Sequence, residues 1–460
     1  MNIIVSHKIK IEDYTKDALR WCEENLTMPN PEYHKKERMG KWTGNIPRNI
    51  VLYEKDGDSL YLPFGCFNRF WKAVGSHANF KSEISPIRKV NYQSGISLYS
   101  YQERAVNEAI RHKNGVIVMP CGAGKTQTAL ELVARLGGKC LWLTHTQDLL
   151  TQSMNRAKAN FGIAQSTYGT ITGGKINIGT GITFATVQTM CKIDLTQYKD
   201  AWDIIIVDEC HKAIGSPTKV MQFYSVLSKL SCRFKYGITA TPKRADGLEK
   251  SMFALLGDII IEIPKSEVKN NTCDVIVNTI YTDYTPDYGV ILSGDGTINY
   301  ASLIDDMIHN QQRNTLILDT INNSVGATLV LSSRVSHLEY LENNYAGKSV
   351  CLSSLGNSKS AKEMRKEALN KLNNGELDCV FATYQLAKEG LDVPNLRTVI
   401  FATPEKDETT VIQASGRVGR KCDGKPYGVV IDFVDNFGML KGWAKKRKGY
   451  YEKVNYVLGV

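Results

Sequence analysis

Between Gly115 and Phe433 the chain passes through two series of short apolar runs rich in Val and Ile, each followed by an amphipathic stretch. The first series is "GVIVMP", "KCLWLTH", "GITFAT", "DIIIVDE", "YGITAT" and "DIIIEI"; the second is "ATLVLSS", "KSVCLSS", "DCVFAT", "TVIFAT" and "YGVVIDF". A strand with one face in water alternates apolar and polar residues, whereas a strand covered on both faces reads as a continuous apolar run. The pattern therefore predicts parallel strands joined by helices, in two tandem doubly wound α/β domains. At 460 residues the chain exceeds what one hydrophobic core organises. The expected division is a small accessory domain at 1–92, a first α/β domain at 93–265 and a turn-rich linker or insert at 266–300, where "TPDYG" and "SGDGT" fall. A second α/β domain at 301–440 and a basic, aromatic tail at 441–460 complete it.

Composition narrows the class. Hydrophobic residues at 42% and charged residues at 23% are those of a globular protein, and no apolar stretch reaches the roughly 20 residues that span a bilayer. The eleven cysteines form no C-x-x-C pair, and Cys140 and Cys379 sit inside apolar runs. That usage predicts small buried side chains in a reducing, cytoplasmic compartment, with neither a zinc site nor a disulfide frame. A net charge of +10 favours a polyanionic partner but does not identify one.

In an open parallel sheet, ligands gather at the carboxyl ends of the strands. After "GVIV" comes "MPCGAGKT", in which Gly122 and Gly124 let the backbone around Ala123 curl with its N–H groups inward. Lys125 can neutralise the β and γ phosphates of a nucleotide, and Thr126 can ligate Mg²⁺. Met119 stands where the strict phosphate-loop pattern has glycine, at a position that closes the turn without touching phosphate. After "DIIIV" come Asp208, suited to a magnesium shell, and Glu209, suited to orienting and deprotonating water. His211 reads equally as a core histidine. Further on, Gln413, Arg417 and Arg420 in "QASGRVGR" are spaced by four and three residues, which predicts one shared helical face. Such a face is either a surface charge stripe or, if it meets the nucleotide, a source of arginine fingers.

Taken in order, "MPCGAGKT", "DECH", "GITATP", "FATYQLAKEGLDVP" and "QASGRVGR" resemble the motif series of superfamily 2 helicases, over roughly Leu98 to Phe433. The resemblance implies two RecA-like domains that cleave ATP, with Mg²⁺, and move along a nucleic acid. It makes Gln102 an adenine contact, Thr239 and Thr241 coupling residues, and Gly390 and Asp392 nucleotide contacts from the second domain. Thr144, His145, Thr146, Thr186 and Thr383 become backbone-phosphate contacts, for which small hydroxyls suit gripping without base readout. A lone threonine at a strand end also reads as a helix cap.

"DECH", "TAT" and "QASGR" depart from the D-E-A-D, S-A-T and H-R-x-G-R of RNA-remodelling relatives, and "TATPKRADG" is similar to the DNA branch that holds phage branch-migration helicases, XPB and restriction-enzyme motors. Arg244 loosely matches an element there. The expected function is thus an ATP-dependent DNA helicase or translocase on duplex or branched DNA in recombination, repair or replication, monomeric and without sequence specificity. An RNA helicase and a restriction motor are the alternatives. Lys35, Lys36, Arg38, Lys41 and Arg48 could meet phosphates with Tyr33 or Trp42 against a sugar or base; Trp21, Trp42 and Trp71 could equally build a small core. Lys445, Lys446, Arg447 and Lys448 pose the same choice between phosphate contact and solvated surface.

Overall fold

The structure is a computed structural model that describes every residue except 76–77, 121, 215, 243–247, 272, 357, 389–390, 392, 423 and 460. Arg244, Gly390 and Asp392 lie outside the described residues. The chain divides into two compact units, the first of Met1–Pro120 and Gly124–Pro264 and the second, in the main, of Lys265–Val460. No helix among the described residues is long and apolar enough to cross a membrane.

All six runs of the first series are strands. They belong to an eight-stranded sheet in the order Lys175–Asn177, Tyr168–Thr172, Ile182–Thr186, Cys140–Thr144, Ile204–Asp208, Phe234–Thr239, Asn114–Val118, Ile259–Glu262. Every pairing is parallel except that of Lys175–Asn177. Strand Phe234–Thr239 lies between the strand that leads into "MPCGAGKT" and the strand that ends at Asp208, so three chemically distinct strand ends stand side by side. The fold is α/β and RecA-like.

The first 92 residues were expected to form a separate small domain. They contain their own five-stranded sheet, in the order Glu54–Asp56, Ser59–Pro63, Lys8–Glu12, Asn2–Val5, Asn79–Ser82, and a helix, Lys16–Leu26. That helix buries Ala18, Cys22 and Leu26, four residues apart and hence on one face. Its core is not separate: Ile3, Ile11, Cys22, Leu60 and Phe70 belong to the same buried cluster as Val116, Leu141, Ile205 and Leu256. Polar ties reinforce the joint. The Tyr224 hydroxyl donates to Glu54 at 2.9 Å, Arg69 pairs with Asp258 at 3.2 Å, and Arg88 pairs with the buried Asp203 at 2.9 Å.

The second unit carries a seven-stranded parallel sheet in the order Ser349–Cys351, Cys379–Thr383, Thr328–Ser332, Thr398–Phe401, Tyr427–Asp435, Asp274–Thr282, Val457–Leu458. All five predicted runs are present. Two sequence expectations are corrected. Residues 266–300 are not simply a linker, because Asp274–Thr282 pairs with all nine residues of Tyr427–Asp435. Residues 441–460 are not a tail, because helix Gly438–Lys453 packs on that sheet and Val457–Leu458 adds to its edge. Within "KKRK", Arg447 is 1% exposed and donates to Asp432 and to the carbonyls of Glu405 and Phe433. A buried guanidinium so fully paired is part of the core, while Lys445, Lys446 and Lys448 remain exposed.

Candidate active site

Two glycines of "MPCGAGKT" take left-handed backbone conformations. Gly122 and Gly124 have φ of 82° and 73°, and Gly124 immediately precedes helix Lys125–Leu136, so the loop ends at a helix N-terminus suited to anions. Met119 is buried and its N–H donates to Thr239 O at 2.9 Å, which ties the strand end to the neighbouring strand. Gln102, on helix Ser100–His112, is buried beside this loop. Its Oε1 accepts from Tyr99 N at 2.9 Å, and its Nε2 lies where a Cβ at Gly124 would be only 2.4 Å away. Gln102 is thus seated against the phosphate loop.

Lys125 Nζ lies 3.5 Å from Glu209 Oε1, and His211 Nδ1 lies 3.3 Å from Glu209 Oε2. His211 Nδ1 also meets the Thr239 hydroxyl at 2.8 Å, and the same hydroxyl oxygen accepts from Thr241 N at 3.1 Å. A continuous polar chain thereby crosses the three strand ends from Lys125 to Thr241. Glu209 itself has φ of 49°, a left-handed conformation that costs a non-glycine residue about 1 kcal/mol and persists where neighbours enforce it. Asp208 is buried and accepts from the Ser153 hydroxyl at 3.2 Å.

Electrostatics separate the two carboxylates. Burial pushes Asp208 up to about 6, with the Glu209 charge adding to the rise and Lys125 opposing it. For Glu209 burial acts in the same direction, but Lys125 and His211 override it and hold the carboxyl well below the ordinary range. Burial also lowers His211, which Glu209 partly offsets. Sequence reasoning left His211 open and missed Ser153. The latter had a readable signal: it shares with Leu150 and Ala157 the buried face of helix Gln147–Asn160, where a hydroxyl needs a partner.

The proposed backbone contacts fall in different settings. Thr144 is fully buried and its hydroxyl donates to Thr146 O at 3.0 Å, so it shapes the turn instead of meeting a strand from solution. Thr146 caps helix Gln147–Asn160 by accepting from Leu149 N at 3.3 Å, and Thr186 hydrogen bonds Thr189 at 2.9 Å. Burial, with Lys212 and Lys219 adding to it, pushes His145 down to about 3, so it is neutral and adds no charge for phosphate. In the second unit Thr383 accepts weakly from Leu386 N at 3.4 Å.

The shared helical face of Gln413, Arg417 and Arg420 is a further correction. Helix Glu408–Ser415 stops before either arginine: the Ser415 hydroxyl turns back to Val411 O at 2.7 Å, and Gly416 and Gly419 weaken continuation. Backbone bonds of Val418 N to Ser415 O and Gly419 N to Gly416 O then form tight four-residue turns. Gln413 is buried inside the helix, whereas Arg417 sends its two terminal nitrogens to the carbonyls of Ala387 and Leu391. Arg417 therefore holds the carbonyls of Ala387 and Leu391 within the second unit.

A glycine phosphate loop, a lysine at a helix start and paired carboxylates on the adjoining strand end define a nucleoside-triphosphate-cleaving protein built on RecA-like sheets. Comparison with known proteins carries the identification further. Residues 95–244 match the type III restriction enzyme res subunit family, and residues 311–422 match the helicase conserved C-terminal domain. The chain is an ATP-hydrolysing helicase of superfamily 2. It is 26% identical over 421 residues to a protein of Acanthamoeba polyphaga mimivirus, L396, whose name carries the words ATP-dependent RNA helicase; the match covers 88% of this chain and 78% of that protein. It is 24% identical over 464 residues to the ATP-dependent DNA helicase uvsW of Enterobacteria phage T4, covering 93% and 88%. Among solved structures, S. cerevisiae Dbp5 bound to RNA and ADP BeF3 shares the fold with a TM-score of 0.55 at 15% identity, covering 79% of this chain and 90% of that one.

Proposed function

We propose that the chain couples ATP hydrolysis to movement on DNA, with duplex or branched DNA as its substrate and fork remodelling or branch migration as its use. The observation that carries the catalytic part is the ion pair of Lys125 with Glu209 at 3.5 Å. Lys125 is the group that neutralises phosphate, and its charge also suppresses the basicity of Glu209. When Lys125 turns to the β and γ phosphates, Glu209 loses that suppressing charge and its affinity for a proton rises toward that of a competent base. Glu209 then accepts the proton of the water that attacks the γ phosphorus, and the strained backbone at 209 keeps its carboxylate at that strand end.

Gln102 contacts adenine, and the N–H groups of Gly122, Ala123, Gly124 and Lys125 hold the phosphates. Thr126 and Asp208 would hold Mg²⁺; the raised Asp208 carboxyl fits that role, because a cation relieves the repulsion from Glu209 that burial sharpens. Bound there, Mg²⁺ neutralises charge that develops on the phosphates. Arg417 and Arg420 answer the charge on the transferring phosphate, and Gly390 and Asp392 contact the nucleotide. The name of the phage relative supports DNA, as do the departures of "DECH" and "QASGR" from the RNA-remodelling pattern; the name of the mimivirus relative favours RNA as the second reading.

The test compares ATP turnover on single-stranded, duplex, forked and four-way DNA and on RNA. Branched or duplex DNA should stimulate best. Glu209→Gln should lower kcat by about 10²–10⁴ while nucleotide binding persists. RNA as the best activator would overturn the substrate, and a fully active Glu209→Gln chain would overturn the assignment of the base.

A further inference from the structure

Two of the three N-terminal tryptophans are half-buried and pack against the core. Trp21 meets Phe70 edge-on at 5.2 Å between ring centres, and Trp71 packs beside Phe67 and Phe80. Trp42 does not join them and is 85% exposed. Tryptophan has the largest apolar surface to bury, so an indole left in water on an ordered loop marks a contact surface.

The loop that presents it is tightly built. Asn30 is buried; its Oδ1 accepts from Glu32 N at 3.0 Å to cap helix Pro31–Arg38, its Nδ2 donates to Pro47 O at 2.9 Å, and its N–H donates to Arg48 O at 2.9 Å. One residue therefore clamps both ends of the segment that carries Trp42. Within it Lys41 N donates to Lys36 O at 2.9 Å and Ile46 N to Thr43 O at 3.1 Å. Gly44 has φ of 54°, and a Cβ there would come within 2.8 Å of the indole, so the ring rests on glycine backbone with its outer face open.

The charge around it is predominantly positive. Among the described residues Lys35, Lys36, Lys41 and Arg48 take part in no ion pair, and Glu37 is engaged by His34 at 3.2 Å. The lysines of the adjacent sheet behave differently: Lys8, Lys10 and Lys81 pair with Glu54, Glu12 and Glu83. A rigid indole inside a cluster of free cations is the combination that binds single strands, with the base on the ring and the flanking phosphates on the cations.

We propose that the Trp42 loop is a base-stacking site for an unpaired strand, with Lys35, Lys36, Lys41 and Arg48 holding the phosphates on either side. The proposal rests on the reading of the chain as a DNA motor and adds to it. An intact duplex hides the faces of its bases, so this site selects the unpaired arm of a fork or branch over the duplex body.

The experiment uses the full chain and three labelled probes at fixed salt: a single-stranded oligonucleotide, a forked DNA, and a dumbbell duplex whose ends are closed by hairpins. Trp42→Ala should bind the single strand and the fork about tenfold more weakly and the dumbbell within about twofold of wild type, and Trp42→Phe should recover most of the loss. Single-strand binding should quench tryptophan emission, and the quench should shrink in Trp42→Phe. Lys35→Gln with Lys36→Gln should flatten the dependence of log K on log salt by about 1.4 for the single strand. Unchanged binding of all three probes by Trp42→Ala, or an equal loss on the dumbbell, overturns the stacking site alone. A wild-type chain that binds none of the probes overturns the motor reading and the stacking site with it.

Discussion

Replacing Gly65 with Ala drives a wedge into the joint between the N-terminal sheet and the first RecA-like sheet. A Cβ at position 65 would lie 2.4 Å from Gly257 N, 2.5 Å from Leu256 N and 2.6 Å from Leu255 C. Contact between such atoms needs about 3.5 Å, so the turn Phe64–Cys66 and the end of helix Glu249–Leu256 must part by about 1 Å. All three obstacles are backbone atoms, which cannot rotate aside as a side chain would. Overpacking a filled core costs about 1–3 kcal/mol, and a gap of 0.5–1 Å forfeits roughly a quarter to a half of the contact energy along its length. Together these place the cost near 3 kcal/mol. In a unit of this size each kcal/mol lowers Tm by about 2–4 °C, so the first unit should melt about 6–12 °C lower. The assay is calorimetric melting of the whole chain, with Gly95→Ala as control, since a Cβ there meets only Asn160 O at 3.6 Å. One transition should carry the N-terminal sheet and the eight-stranded sheet together. A Tm within about 2 °C of wild type, or separate melting of the N-terminal sheet, would refute the shared core. Truncation before residue 92 is accordingly a destabilising change, not the removal of an independent module.

Two further outcomes follow from individual contacts. Gly124→Ala combines a φ of 73° with a Cβ 2.4 Å from Gln102 Nε2, and Gln102 is pinned by Tyr99 N; KM for ATP should rise at least about tenfold while the strained φ lowers Tm by about 2–4 °C, whereas an unaltered KM would dissociate this loop from the nucleotide. His337 is buried between Ser332 at 3.0 Å and Asn314 at 2.9 Å, and burial, with Arg313 adding to it, pushes it down to about 3. Because the folded state favours the neutral ring, its contribution is complete above the unfolded value near 6.5 and is lost as pH falls toward 3. By pH 5 about 2 kcal/mol of stability should be gone, measurable by urea unfolding at pH 7 and pH 5 and flattened in His337→Gln.

Most of the sheet architecture was legible because doubly covered parallel strands leave an unambiguous mark, an unbroken run of Val and Ile. Asp274–Thr282 escaped because "DVIVNTIYT" mixes polar residues into a strand that is buried at only three of its nine positions, Val275, Val277 and Thr282. The helix break at Ser415 was hidden for a related reason: four- and three-residue spacing is the same whether the backbone winds as a helix or as successive turns, and the backbone bonds of Arg417, Val418, Gly419 and Arg420 to carbonyls three residues back decide for turns. Basic residues were the least legible. Arg447 and Lys446 are neighbours in one charge run, yet the first is enclosed by Asp432 and two carbonyls while the second stays in water.

The amino-acid order by itself determined the α/β class, the strand ends that bear Lys125, Asp208 and Glu209, and the glycines that let a loop curl around phosphate. These depend on apolar runs and on backbone freedom at single positions, both of which are local. Tertiary structure alone decided that the N-terminal sheet shares its core with the motor sheet, that Arg417 holds the carbonyls of Ala387 and Leu391, that His211 joins Glu209 to Thr239, and that Trp42 remains outside every core. Each of those depends on which distant atoms come within a few ångströms, and that is set by how the chain packs, not by the spacing of residues along it.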